Sequence, residues 1–243
     1  MKYRKIVSLW SSIKSIVFSY SCISLRIEIE VAGEKLKLLW QKAIWIPGRK
    51  TLLAADLHFG KINHFRKAGI PVPARANDKN TETLIDLLNQ TRPDRVIFLG
   101  DLFHSHYNEE WAVLGQILKH FSTCSFELVR GNHDILSQRQ YERYRIFVHE
   151  TGLKIGKLFL THEPMETAPQ DDYNLAAHLH PGVRLYGKGK QALTLPCFYF
   201  GKDQGIMPAF GSFTGLAMVT PKKEDRIFVV AENKVQQVTA DPH

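Results

Sequence analysis

Cysteine is scarce: Cys22, Cys124 and Cys197 are the only three in 243 residues. An odd number without paired spacing excludes a disulfide framework and a CxxC metal knuckle, and it points to a reducing, cytoplasmic setting. Long apolar runs are missing as well. The stretch from Ile16 to Ile23 is diluted by serine and too short to cross a bilayer. Lys2, Arg4 and Lys5 give the chain a basic start, but Lys14 interrupts it and no small-x-small cleavage site follows Cys22, so the segment is not read as a signal peptide. There is no internal repeat and no interdomain linker. A sustained excess of one charge is also lacking, because the net +8 divides into +7 over residues 1–50 and +1 over the remainder. The basicity of the whole therefore says little about a nucleic-acid partner. With 44% hydrophobic and 23% charged residues, disordered and collagen-like classes drop out.

What is present reads as an extension followed by one α/β domain. Residues 1–24 are serine-rich, basic and weakly periodic, and are expected to be a poorly ordered extension. Residues 25–243 are expected to form a single domain. From Arg26 the pattern alternates through Ile27, Ile29 and Val31, then Leu36 and Leu38, then Ile44 and Ile46, which predicts hairpin strands. Buried strands follow at 51–55, 95–99 and up to Val129. Between them, residues 80–90 read as a helix burying Leu84, Leu87 and Leu88. Residues 109–121 read as another, with Trp111, Leu114, Leu118 and Phe121 on one stripe and charges that match the helix dipole. A short helix is expected at 139–145. Strands are expected at 146–148, 153–160, 183–186, 193–200, 215–219, 226–231 and 235–238, with a long polar loop leading to His178. This βαβαβ order followed by a run of strands predicts two packed sheets flanked by helices.

The chemistry sits at the strand ends. Four times a short apolar run stops at an acid, an asparagine or a histidine: Asp56-x-His58, Gly100-Asp101, Gly131-Asn132-His133-Asp134 and Thr161-His162; a fifth segment adds His178-x-His180. Strand ends converge on one edge in α/β architecture, so such residues can meet in one site. Oxygen and imidazole donors without thiolate suit a pair of hard or borderline cations such as Mn²⁺, Fe or Zn²⁺. Any one of these histidines alone reads as an ordinary structural residue; the five blocks together do not. Lys61, Arg66, Lys67 and Arg75 follow the first block with no acid between Leu57 and Asn77, and form a candidate phosphate-tracking loop.

These five blocks, in this order, resemble the calcineurin-like metallophosphoesterases, whose pattern is DxH, GD, GNH[DE], H and GHxH. Ala177 departs from it where the family has glycine, which implies a local backbone shift with the ligands intact. The resemblance implies a four-layer α-β-β-α sandwich. It implies one cation held by Asp56, His58 and His180, a second by Asn132, His162 and His178, and Asp101 bridging both, with a shared water as nucleophile. It further implies that His133 stabilises the phosphoryl group or protonates the leaving oxygen, oriented by Asp134 or Asp101. His104, just after the second block, reads either as a contact to the leaving group or as a loop residue. The segments 55–61, 65–73, 100–105 and 208–215 are similar to the ligase-associated DNA-damage-response phosphoesterases of the PdeM type, over about residues 27–238. That similarity implies a manganese-dependent phosphodiesterase or endonuclease acting on DNA, with a DNA ligase, a helicase and an exonuclease as functional associates and no membrane. Two other functions fit the same residues: a small-molecule phosphoesterase or pyrophosphohydrolase, and an inactive protein-binding scaffold. Complete ligand blocks with His133 in place argue against the scaffold.

Overall fold

The computed structural model describes residues 26–59, 75–103, 109–169, 171–186, 191–211 and 214–238, with the side chains of 75–78 and 109 set aside. The expected extension at 1–24 lies outside these residues.

The first sheet has seven strands in chain order: β1 (Arg26–Val31), β2 (Glu34–Leu39), β3 (Ala43–Ile46), β4 (Thr51–Ala55), β5 (Arg95–Leu99), β6 (Ser125–Val129) and β7 (Ile146–His149). The pairing is antiparallel as far as β4 and parallel from there on. At the β1–β2 turn, Ala32 (φ 50°) and Gly33 (φ 79°) both take the left-handed conformation that a two-residue hairpin needs. The central strands β4 and β5 are apolar and buried almost throughout, as parallel strands covered on both faces must be.

The crossovers carry the helices α1 (Arg75–Thr91), α2 (Glu109–His120) and α3 (Gln138–Arg143). They cover the outer face of this sheet, where Leu84, Leu87, Trp111, Leu114, Leu118 and Tyr141 meet Leu52, Val96, Phe98 and Leu128. The Trp111 ring is the centre of the layer, 4.2 Å from the Phe103 ring, 5.1 Å from Tyr144 and 5.6 Å from Tyr141. Helix α2 can approach Tyr144 because residue 115 is glycine; a Cβ there would fall 1.9 Å from the ring. Helix α1 begins five residues before the expected start, since its first turn carries no apolar stripe. Ser137 and Gln140 close a capping box on α3.

The second sheet has nine strands. They are β8 (Leu153–Ile155), β9 (Leu158–Leu160), β10 (Tyr173–Ala176), β11 (Pro181–Tyr186), β12 (Ala192–Phe200), β13 (Gln204–Ile206), β14 (Ala217–Met218), β15 (Arg226–Ala231) and β16 (Lys234–Val238). The order is β14-β11-β12-β13-β10-β9-β8, with β15 and β16 continuing from β12. Its inner face packs on the first sheet through Leu158, Leu160, Leu175, Phe198, Phe200 and Phe228, opposite Leu53, Ala55, Ile97, Leu99 and Val129. Its outer face carries a smaller cluster around Cys197, Ile227 and Val229, and among the described residues no helix packs there. Strand β10 stands where a loop was expected. Its middle residue, Asn174, breaks the apolar pattern yet is fully buried. The amide accepts from Met165 N (3.0 Å) and Gln204 Nε2 (2.9 Å), and donates to Phe159 O (3.1 Å) and Thr161 Oγ1 (2.8 Å). With every hydrogen-bonding position filled, the burial carries little penalty.

Candidate metal centre

The site lies where β4, β5, β6, β9 and β10 end. The β4–β5 ladder continues past the strands, Asp56 N to Gly100 O (3.2 Å), His58 N to Asp101 O (2.9 Å) and Phe59 N to Leu102 O (3.0 Å), so the first two blocks are held edge to edge by backbone. Ala177 N donates to His162 O (2.9 Å), which ties the fourth block to the fifth, and His178 N donates to Asp56 Oδ2 (3.1 Å), which ties the fifth to the first.

Five of the expected ligands have a left-handed backbone: Asp56 (φ 50°), His58 (49°), Asp101 (47°), His178 (63°) and His180 (49°). Asp and His tolerate this region better than most residues, but each instance still costs on the order of 1 kcal/mol. Such concentration at one place is a mark of a functional site. The glycines serve close approach. A Cβ on Gly100 (φ 71°) would lie 2.0 Å from His162 Nδ1, and one on Gly131 would lie 2.5 Å from Asp101 Oδ1. Ala177 has no positive φ and is fully buried, so the methyl group is accommodated without a strained backbone; the left-handed turn falls on His178 instead.

The side chains form two clusters. Asp56, His58 and His180 each offer a donor atom within 4.8 Å of the others, and so do Asp101, His162 and His178. Asp101 faces both, with Oδ2 3.6 Å from His58 Nε2 and Oδ1 3.5 Å from His162 Nε2. Asn132 Oδ1 (3.1 Å) and His178 Nδ1 (3.1 Å) close on the same His162 nitrogen. All seven expected ligands therefore meet.

The donor atoms of the second cluster converge on one nitrogen. His162 Nδ1 lies 3.1 Å from Leu99 O, its hydrogen-bond partner, so Nε2 is the atom turned toward the Asn132 carbonyl, the Asp101 carboxylate and the His178 ring. In the other cluster, Asp56 Oδ1 and His180 Nε2 lie 3.5 Å apart, buried and accepting no hydrogen bond. Oxygen and nitrogen donors gathered this closely fit a cation in each cluster.

His133 stands half-buried beside the first cluster, its ring 5.7 Å from that of His58, and its backbone N–H donates to Asp101 Oδ1 (3.0 Å). Asp134 is bound to backbone. Its carboxylate accepts from Gly131 N (2.9 Å), Leu102 N (3.0 Å) and Phe103 N (3.5 Å). It thereby clamps the second block to the third. Burial pushes its carboxyl up to about 7; the Gly131 and Phe103 N–H groups oppose the rise and the charge of Asp101 adds to it. Arg130 secures the same turn, with Nη1 donating to Asp134 O (2.6 Å) and Nε donating to Glu150 (2.7 Å).

Lys42 went unnoticed in the sequence. From the β2–β3 turn it donates through Nζ to Gly211 O (2.9 Å), and Gly211 N donates to Asp56 O (3.1 Å), so the N-terminal hairpin braces the first block. Burial pushes its ammonium down to about 8, with Lys79 adding to the fall and Asp56 opposing it. A lysine among apolar alternations carried no local signal. Asn174 did carry one, since Tyr173-Asn174-Leu175-Ala176-Ala177 is another short apolar run that ends at a histidine. His104, Lys61, Arg66 and Lys67 lie outside the described residues, and the side chain of Arg75 is set aside.

Two packed mixed sheets with paired ligand clusters at their strand ends define a phosphoesterase of the two-cation type. Residues 49–195 match the model of the calcineurin-like phosphoesterase family, and the chain belongs to that family. It is accordingly a metal-dependent phosphoester hydrolase. Among solved structures it is similar to the Pseudomonas putida nuclease MPE, with 29% identity over 88% of this chain and 100% of that one and a TM-score of 0.74. This likeness is consistent with the PdeM-like endonuclease branch. The Escherichia coli phosphoesterase YfcE is a more distant likeness, at 14% identity over 75% of this chain and 88% of that one, with a TM-score of 0.39. No curated protein matches the chain in sequence. Among the described residues no helix is long and apolar enough to cross a membrane.

Proposed function

We propose that this protein is a manganese-dependent phosphodiesterase that cuts the DNA backbone in a damage-response setting in the cytoplasm, alongside a DNA ligase, a helicase and an exonuclease. The observation that carries this reading is the sharing of Asp101 between two complete donor clusters with His133 beside them, in a chain similar to a nuclease.

Asp56, His58 and His180 would hold one cation, and Asn132, His162 and His178 the other, with Asp101 within reach of both. When bound, the pair supplies an acidified water and neutralises charge on the phosphate. An oxygen and nitrogen donor set without thiolate suits Mn²⁺. The chain's own groups do the rest. Asp101 accepts the His133 N–H and so fixes where that residue stands; the His133 ring gives its proton to the leaving oxygen as the P–O bond breaks. His162 keeps one tautomer because Leu99 O holds its Nδ1 proton.

The test is cleavage of labelled DNA and of bis(p-nitrophenyl) phosphate with Mn²⁺. Hydrolysis of both, lost on chelation, is expected. Efficient turnover of monoesters with none of diesters would transfer the protein to the small-molecule phosphoesterases, and a well-folded preparation retaining no metal after Mn²⁺ soaking would make it a scaffold.

A further inference from the structure

Among the described residues, four of the six large exposed hydrophobics belong to segments that leave the metal centre: Ile135 after the third block, Leu179 between the two histidines of the fifth, and Tyr186 and Met218 beyond it. The last two stand on one ribbon. Strand β11 starts at Pro181, directly after His180; β12 pairs with it on one side and β14 on the other, and Ala217 N donates to His180 O (3.1 Å). The ribbon is thus rooted in a ligand residue.

Its two faces differ. Val183 and Leu185 pack against the cluster around Ile227 and Val229. Arg184 and Tyr186, at alternate positions, share the opposite face. A Cβ on Gly182 would meet Met218 Cε at 2.7 Å, so Met218 lies on that same side. The face therefore presents Met218, Arg184 and Tyr186 in a row, with Tyr186 60% and Met218 49% exposed and the Arg184 guanidinium 5.7 Å from the Tyr186 ring centre. Charge favours an anionic occupant: Pro196, Thr194 and Ala192 of β12 lie opposite Gly182, Arg184 and Tyr186, so Arg184 is the one charged residue of this face of the ribbon.

We infer that the outward face of the β11–β12–β14 ribbon, through Met218, Arg184 and Tyr186, is a second contact surface for the substrate chain, holding nucleotides that flank the scissile phosphate. This rests on the reading of the protein as a DNA phosphodiesterase. At about 3.3 Å per strand residue, Arg184 lies about 13 Å of chain from His180 and Tyr186 about 20 Å. Measured along a duplex axis, those reaches correspond to about four and six nucleotide steps at about 3.4 Å each. Arg184 neutralises a phosphate, while the Tyr186 ring and Met218 lie against a base or sugar.

The experiment measures binding of a fluorescein-labelled dodecadeoxynucleotide, single- and double-stranded, with Ca²⁺ replacing Mn²⁺ to hold turnover down, and KM for cleavage of oligonucleotides of graded length with Mn²⁺. Tyr186→Ala and Arg184→Ala are each expected to weaken binding about fivefold or more. Arg184→Ala also lowers the salt slope by about one, Tyr186→Phe binds as the parent does, and the rise in KM grows from dinucleotide to dodecanucleotide. Phe147→Ser, at an exposed position on the edge strand β7, serves as the control and binds as the parent does. Binding by both alanine variants within twofold of the parent overturns the surface while leaving DNA cleavage standing. Tyr186-dependent binding without cleavage keeps the surface and removes the cleavage reading, and a parent that neither binds nor cuts DNA removes both.

Discussion

Replacing Asp134 by alanine separates two accounts of this residue. As a partner of His133 it would act on the pH dependence of turnover; as a clamp it acts on stability and on the register of two ligand-bearing turns. Alanine strands the N–H groups of Gly131 and Leu102, whose bonds to the carboxylate are 2.9 and 3.0 Å, and loosens Phe103, whose bond at 3.5 Å is marginal. A buried donor left without an acceptor costs about 1–3 kcal/mol, so the two firm bonds set the loss at about 2–6 kcal/mol. In a protein of this size 1 kcal/mol corresponds to about 2–4 °C, so the metal-free variant should melt about 4–24 °C lower. The carboxyl, raised to about 7 by burial, modulates this. A group whose folded pKa lies above its unfolded value gives stability that is complete below the unfolded pKa and lost as pH rises through the folded one. The gap between parent and variant is therefore wide at pH 4 to 5 and narrower above 7. Thermal melts in EDTA at pH 5 and pH 8 measure it. Asp134→Asn keeps one accepting oxygen and should recover part of the loss with an unaltered pH–rate profile. Equal melting of parent and Asp134→Ala at pH 5, or a profile displaced by Asp134→Asn, would refute the clamp.

Other perturbations test the remaining parts. Asp101→Asn should empty both clusters together, while His133→Ala should keep metal content and lower kcat by about 10²–10⁴-fold; metal analysis beside kinetics decides, and equal metal loss in the two variants contradicts the assigned roles. Gly100→Ala sets a methyl group 2.0 Å from His162 Nδ1 at a φ of 71°, so one of two bound cations and several degrees of melting temperature should be lost, read by metal stoichiometry and calorimetry. Trp111→Ala empties the centre of the helix–sheet layer and should lower stability by about 3–5 kcal/mol in urea unfolding, with metal content preserved in the folded fraction.

Five of the seven expected ligands, Asp56, His58, Asp101, Asn132 and His162, were legible because each follows a short apolar strand, where local pattern and chemistry coincide; His178 and His180 were legible by their spacing alone. Thr51–Ala55 and Arg95–Leu99 announce burial, and the polar residues that follow can lie only at their ends. Asn174 shows where this logic stops. Its burial depends on partners from Phe159, Thr161, Met165 and Gln204, and no window of sequence contains them all. Strand β13 is hidden for a similar reason, being three residues placed between β10 and β12 by pairing alone. The role of Asp134 turned on side-chain direction, since the same letters permit a carboxylate facing an imidazole or facing the backbone. Lys42 needed the knowledge that the β2–β3 turn lies beside the end of β4.

The left-handed residues carry one more consequence. Asp56, His58, Asp101, His178 and His180 are held in their uncommon conformation by strand pairing and loop hydrogen bonds. The scaffold acts as a mould cut before the casting. Chelated protein should keep the contour of its empty nest and refill on mixing, without passing through a refolding step.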